Sequence, residues 1–185
     1  MKKIKNNFNT KIKFQKVREK DLTIIKKWRN SLDIFPFNTQ YILLNMENQK
    51  RWFDTINNVE SKRQMFIAYF EKNPIGICGL INIDNENQNG DIAIIIGETK
   101  FQGKGIGSII LKKLLDVGFK KLKLNRIGAE VLDYNNKSEN LFRKLNFKFE
   151  GTYRHTLWRE GKWHNTNVFS ILKEEFRENY DKSEN

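Results

Sequence analysis

The chain has one cysteine, two histidines and no apolar run near the roughly 18 residues that a membrane-spanning helix needs. Each shortage removes a class of reading. Cys78 cannot form an internal disulfide, and His155 and His164 supply too few ligands for a zinc site, so no metal is expected. Cys78 also sits mid-strand in Gly76-Ile77-Cys78-Gly79, away from any helix start, which argues against a thiol nucleophile. The basic opening Met1-Lys2-Lys3-Ile4-Lys5-Asn6-Asn7 lacks the apolar segment of a signal peptide. A soluble, cytoplasmic protein with no membrane partner is expected. No internal repeat divides the 185 residues, which suit one domain over 1–185 with an ordered core at about 11–177; Met1 to Thr10 and Glu178 to Asn185 are the expected disordered pieces.

What the chain has in excess is positive charge, a formal +12. Nucleic-acid modules gather Lys and Arg on one face. Here they run from Lys2 to Lys182 among many Asn and Ile, which reads as a solvated surface with no nucleic-acid partner. A positive field nevertheless suits encounter with an anionic ligand.

The stretch from Gly97 to Gly107 joins a β-branched run, Asp91-Ile92-Ala93-Ile94-Ile95-Ile96, to a helical pattern carried by Ile110, Leu111, Leu114, Leu115 and Phe119. Strand, glycine loop and helix in that order present backbone N–H groups to an anion, with the helix dipole favouring negative charge. Gly97, Gln102, Gly103, Lys104, Gly105, Ile106, Gly107 and Ser108 are therefore candidates to hold a phosphate ligand. The Walker pattern fails, because Gly103-Lys104 is followed by Gly105 rather than Ser or Thr. The dinucleotide fingerprint fails on the interval after Gly105 and on the lack of an acid about 20 residues later.

Gln102, Gly105 and Gly107 meet the Gln/Arg-x-x-Gly-x-Gly/Ala signature, so the stretch resembles the GNAT superfamily of acyl-CoA N-acyltransferases. Downstream, Val131, Asn135, Ser138, Leu141, Phe142, Phe147 and Glu150-Gly151 follow that family's order. Asn146 stands where the family has Gly, a mild change since Asn tolerates the left-handed region, and Phe142 stands where it usually has Tyr. Lys16 to Leu22, Lys27 to Asn30, Asn73 to Gly76 and Glu150-Gly151-x-x-Arg154 look like the RimJ/RimL-like branch.

The resemblance implies a fold and a ligand. The fold class is α+β: a mixed, mostly antiparallel twisted sheet flanked by helices, with a splayed parallel strand pair holding acyl-CoA. Periodicity gives a first strand at Ile12, Phe14 and Val17, a helix capped by Asp21 with Leu22, Ile25 and Trp28 on one face, and a second helix carrying Trp52, Phe53, Ile56 and Val59. Strands follow at Met65 to Phe70, Ile75 to Asp84, Asp91 to Ile96 and Arg126 to Leu132, then late strands at Gly151 to Trp158 and Asn165 to Leu172. Asn136 with Glu139 reads as the cap of the helix between.

Amide formation needs a base for the ammonium, a donor for the carbonyl oxygen and an exit for the thiolate. By resemblance the donor is the backbone N–H of Ile95 or Ile96, and Asp91 occupies the base position, although it also suits the end of the Gly90 turn; Asp84 and Glu86 are weaker candidates, and His155 and His164 could serve on intrinsic pKa. Asn135 is expected on the pantetheine arm, and Lys144 or Arg143 near the adenosine phosphates. Phe142 cannot protonate the leaving group; Tyr134 and Ser138 are the nearest substitutes, and a thiolate can also leave without an acid because its pKa is about 8.5. Acetyl-CoA is the expected co-substrate, consumed by direct transfer.

Trp28, Asn30, Asp84, His155 and Trp158 are the candidate acceptor-side residues, although the helical spacing of Trp28 also suits the core. The helix at Trp28-Arg29-Asn30 with Gln49-x-x-Trp52-Phe53 resembles enzymes that acetylate a 4-amino nucleotide-sugar, which ranks that small molecule first, a peptide or ribosomal-protein N-terminal amine second and spermidine third. A non-catalytic acyl-CoA-binding module is the rival reading, and a homodimer is kept among the expected partners.

Overall fold

The computed structural model describes residues 10–180; residues 1–9 and 181–185, most of the two segments expected to be disordered, lie outside them. The elements run β1 (Ile12–Lys16), α1 (Leu22–Arg29), α2 (Met46–Asn57), β2 (Gln64–Phe70), β3 (Asn73–Asp84), β4 (Asn89–Ile96), α3 (Ile106–Asp116), β5 (Arg126–Leu132), α4 (Asn136–Lys144), β6 (Lys148–Arg159), β7 (Lys162–Leu172) and α5 (Lys173–Tyr180). The last helix runs to Tyr180, so Glu178 to Tyr180, expected to be disordered, are helical. The strands form a 7-stranded sheet in the order β1-β2-β3-β4-β5-β7-β6. Pairs β1–β2, β2–β3, β5–β7 and β6–β7 are antiparallel. Only a crossover connection can make strands parallel, and α3 supplies it between β4 and β5. This is the α+β architecture that the resemblance implied.

Two compact units divide the described residues, one of 10–81 with 93–111 and the other of 82–92 with 112–180. In the first unit, Val17, Leu22, Ile25, Trp28, Ile34, Ile67 and Ile77 form a buried cluster, against which Trp52, Phe53 and Ile56 of α2 pack. The 3.6-residue period of α1 and α2 turns these side chains to one face. Val59 was expected to share that face, but the helix stops at Asn57 and Val59 is exposed. Asn45 and Asn48 form a reciprocal cap at the start of α2. Asp21 does not cap α1; it closes a preceding 3₁₀ turn, where its carboxylate accepts the Arg18 backbone N–H at 2.9 Å.

In the second unit, β6 and β7 are longer than the alternation suggested, because the two-residue turn Glu160-Gly161 lets pairing begin at Arg159↔Lys162. Both turn residues have positive φ, 49° and 76°, the geometry whose twist matches the strands it joins. The α4 helix ends on Asn146 at φ 62°, as expected of the residue replacing Gly, with its N–H on the Arg143 carbonyl.

Candidate functional site

The glycine loop lies in the first unit and is braced on both sides. Beyond β4, the N–H groups of Gly97 and Glu98 both donate to the Ile75 carbonyl, at 2.9 and 3.1 Å. Trp28 is 2% exposed, and its indole N–H donates to Glu98 Oε1 at 3.0 Å. A Cβ on Gly97 would lie 2.1 Å from the Trp28 ring, so Gly97 is where the chain passes over the indole. Trp28 is therefore committed to the core and to this brace rather than presented to an acceptor. A 3₁₀ turn, Thr99–Phe101, then leads to Gln102, whose side-chain amide donates to the Ile96 carbonyl at 3.0 Å.

Gly103 and Gly105 have φ of 71° and 80°, and the space that a Cβ would occupy is open at both. Such a conformation is cheap only for Gly, and bare backbone facing open space is what an anion needs in order to approach N–H groups. At Ile106 the helix begins, and the first-turn N–H groups of α3, including those of Gly107 and Ser108, have no partner within the helix. Lys104 is exposed between the two glycines. The residues present thus fit a pyrophosphate.

Within the same unit the end of β4 approaches Gly76 so closely that a Cβ there would lie 2.2 Å from the Ile95 carbonyl oxygen. Gly76 is thus where the Ile95 carbonyl passes close to β3, while the Ile96 carbonyl is held by Gln102.

The second unit carries the acids. β4 and β5 pair at Asn89↔Arg126, Gly90↔Ile127 and Asp91↔Gly128. Opposite Gly128, Asp91 uses the missing side chain: a Cβ there would lie 2.3 Å from Asp91 Oδ1. Its other oxygen accepts from Asn82 Nδ2 at 2.9 Å. Two residues beyond Gly128 on the same strand face is Glu130. Partial desolvation, and then the charge of Asp91, push the Glu130 carboxyl above its usual value, although the residue remains exposed at the surface. Glu130 was not among the expected bases; its place two residues after Gly128 becomes informative only once the β4–β5 register is known. Arg126 pairs with Glu150, and the Ser170 hydroxyl first, then Arg126, hold the Glu150 carboxyl below its usual value against the effect of burial.

Several expected residues are occupied with structure. Both ends of the Asn30 amide are bonded to Leu44, at 2.8 and 2.9 Å. Asp84 closes its turn through the backbone and side-chain N–H groups of Asn87. Asn135, and not Asn136, caps α4, its side chain accepting the Ser138 N–H at 3.2 Å; Asn sits one residue earlier than the expected cap because the helix begins at Asn136. Phe142 is 3% exposed and packs on Phe147 and Phe169. Arg143 pairs with Glu139 and lies over the rings of Phe149 and Phe169, while Lys144 is exposed. Tyr134 accepts a hydrogen bond from the Arg159 guanidinium at 2.7 Å and meets the His164 ring edge-on. On the β6–β7 hairpin, His155 stacks on Trp163 and Trp158 meets Trp163 edge-on, all three exposed.

A model of the acetyltransferase (GNAT) domain matches residues 11–148. The chain belongs to the GNAT family. This GNAT chain is 39% identical over 102 residues to the uncharacterized N-acetyltransferase p20 of Bacillus licheniformis, a match covering 55% of this chain and 57% of that protein. It therefore spans little more than half the length of that relative. It is 26% identical over 135 residues to acetyltransferase PseH of Campylobacter jejuni, covering 72% of this chain and 81% of the relative. Its fold is similar to that of the Vibrio cholerae spermidine N-acetyltransferase, solved in complex with CoA and spermine, with a TM-score of 0.83 at 21% identity over 90% of this chain and 98% of that one.

Proposed function

We propose that this GNAT protein moves an acetyl group from acetyl-CoA to a primary amine by direct transfer. The observation that carries the reading is the pair of left-handed glycines, Gly103 and Gly105, opening onto free space ahead of α3. Backbone N–H groups from Gly103 to Ser108 would hold the pyrophosphate, with Lys104 adding charge. Acetyl-CoA brings the acyl group already activated as a thioester. The N–H of Ile95 or Ile96 would donate to the carbonyl oxygen. The remaining amide hydrogens of Asn135 would serve the pantetheine arm.

For the proton on the amine we assign Glu130, with Asp91 beside it. A carboxylate in a partly desolvated place next to a second negative charge binds a proton more tightly, which makes it the better base. Asp91, anchored by Asn82, maintains that field. Cys78 is wholly buried and burial pushes its thiol up, which fits transfer without an acyl-enzyme.

The acceptor we rank first is the 4-amino group of a nucleotide-linked aminosugar. Beside the pattern Trp28-Arg29-Asn30 with Gln49-x-x-Trp52-Phe53, it is supported by three polar atoms that are buried without a hydrogen-bond partner among the described residues: both ends of the Gln49 amide and Arg29 Nε. Buried orphan groups are costly unless a ligand satisfies them, and a sugar diphosphate is rich in complementary groups. A polyamine is the second reading, favoured by the acidity of Asp91 and Glu130. The test is thiol release from acetyl-CoA with nucleotide-linked 4-aminosugars, polyamines and amino-terminal peptides. Acceptor-dependent release by one class selects it. A protein that is stabilised by acetyl-CoA but releases no thiol with any of them is a binding module.

A further inference from the structure

The second unit holds a basic pocket that the proposed transfer does not use. Phe119, Lys120, Lys123, Lys173, Phe176 and Arg177 line a cavity of about 190 Å³. Its frame begins where α3 passes into a π-helical turn, Val117–Lys121, a wide turn that often marks functional sites. Lys123 follows in the left-handed region, at φ 61°, while the Leu124 N–H returns to the Gly118 carbonyl at 3.0 Å. The Lys173 N–H, donating to the Asn125 carbonyl at 2.9 Å, ties the start of α5 to the same segment. Phe119 and Phe176, 2% and 3% exposed with ring centroids 5.2 Å apart, form an apolar floor.

Charge is segregated around this pocket. Lys120 pairs with Asp116 at 2.9 Å and lies 5.6 Å over the Phe176 ring. Among the described residues, no acid pairs with Lys123, Lys173 or Arg177. The acids of α5 are directed elsewhere: Glu175 binds the Leu172 N–H and pairs with Lys148, whose ammonium is pushed up first by that bond and also by the charges of Glu174 and Glu178. One helix thus gives its acids to β6 and its cations, Lys173 and Arg177, to the cavity. Like charges held together without a counter-charge repel one another, and a multivalent anion relieves that repulsion. Lys and Arg are also the side chains that bind phosphate oxygens best. The floor rings are buried, and a lysine covers the Phe176 face, so the pocket offers no platform for a base to stack on.

We infer that this pocket binds a small polyphosphate anion, of the pyrophosphate class, through Lys123, Lys173 and Arg177. The test is a thermal-shift titration with sodium pyrophosphate at constant ionic strength, on full-length protein saturated with CoA so that the glycine loop is already filled. A saturable rise is expected in the wild type. The double variant Lys123→Glu, Arg177→Glu should weaken it at least tenfold while keeping the shift due to CoA; Lys123→Gln with Arg177→Gln gives the same reading if the charge reversal impairs folding. The inference is overturned if sodium chloride of equal ionic strength gives the same rise, or if the variants bind pyrophosphate as the wild type does. It is equally overturned if a single-stranded RNA binds in a variant-sensitive way while pyrophosphate gives no shift.

Discussion

The carboxylate of Asp91 lies over the α-carbon of Gly128, close enough that an added methyl group would stand 2.3 Å from Oδ1. The parallel register puts the two residues opposite each other, and Glu130 follows two positions later on the same face. A glycine in mid-strand weakens the strand in return for close approach. Here the group approaching is a carboxylate.

Gly128→Ala should therefore force Asp91 off its bond to Asn82. We expect kcat/KM for acetyl transfer to fall at least tenfold while acetyl-CoA still raises the melting temperature. Steady-state kinetics and a thermal shift on the same preparation check this; unchanged kinetics would show that the position of Asp91 is irrelevant to turnover.

The raised Glu130 pKa sets two signs. Because the folded value lies above the unfolded one, the fold holds the extra proton between them, so Glu130 contributes against stability once pH rises through the folded value. As the base, it must be ionised, and activity should fall as pH drops through that same value. Glu130→Gln should lower kcat by about 100-fold or more. In Asp91→Asn, removing the neighbouring charge should move the acid limb of the pH–rate profile to lower pH, leaving the part due to desolvation. An acid limb that stays where it was in Asp91→Asn would sever the two residues.

Gly97→Ala tests the brace on the glycine loop. Its Cβ would lie 2.1 Å from the buried Trp28 ring, and overpacking of this kind costs about 1–3 kcal/mol. Urea unfolding should show a lower midpoint, accompanied by weaker acetyl-CoA binding because the chain leaving β4 shifts.

Phe142→Tyr would place a hydroxyl among Phe147 and Phe169. We expect lower stability, by about 1–3 kcal/mol, and no more than a modest change in rate. Tyr134→Phe should retain most activity, since its phenol oxygen is occupied by Arg159. A loss near 100-fold in Tyr134→Phe, with acetyl-CoA binding unchanged, would make Tyr134 the acid that serves the leaving thiolate.

The glycine loop was legible in the sequence because its information is local: Gly103 and Gly105 specify left-handed backbone, and apolar periods on either side specify the strand and the helix. The Asn146 helix end was legible for the same reason. Tertiary partners were not. Asp21 has the composition of a helix cap, but Arg18 offered its carboxylate a nearer N–H. Asn135 and Asn136 are equally good caps by composition, and only the start of α4 decides between them. Glu130 becomes a neighbour of Asp91 solely through the β4–β5 register, and the cations of the α3–α5 pocket are scattered between Lys120 and Arg177 in the chain.

The most direct test of the central claim is thiol release from acetyl-CoA, followed with each amine class in wild type and in Gly105→Val, alongside the thermal shift that acetyl-CoA produces. Acceptor-dependent thiol release matched by acetylated amine is expected in the wild type, with both the release and the thermal shift lost in Gly105→Val, where a branched side chain would fill the space open to the phosphates. Full thermal stabilisation and undiminished thiol release in Gly105→Val would contradict that claim.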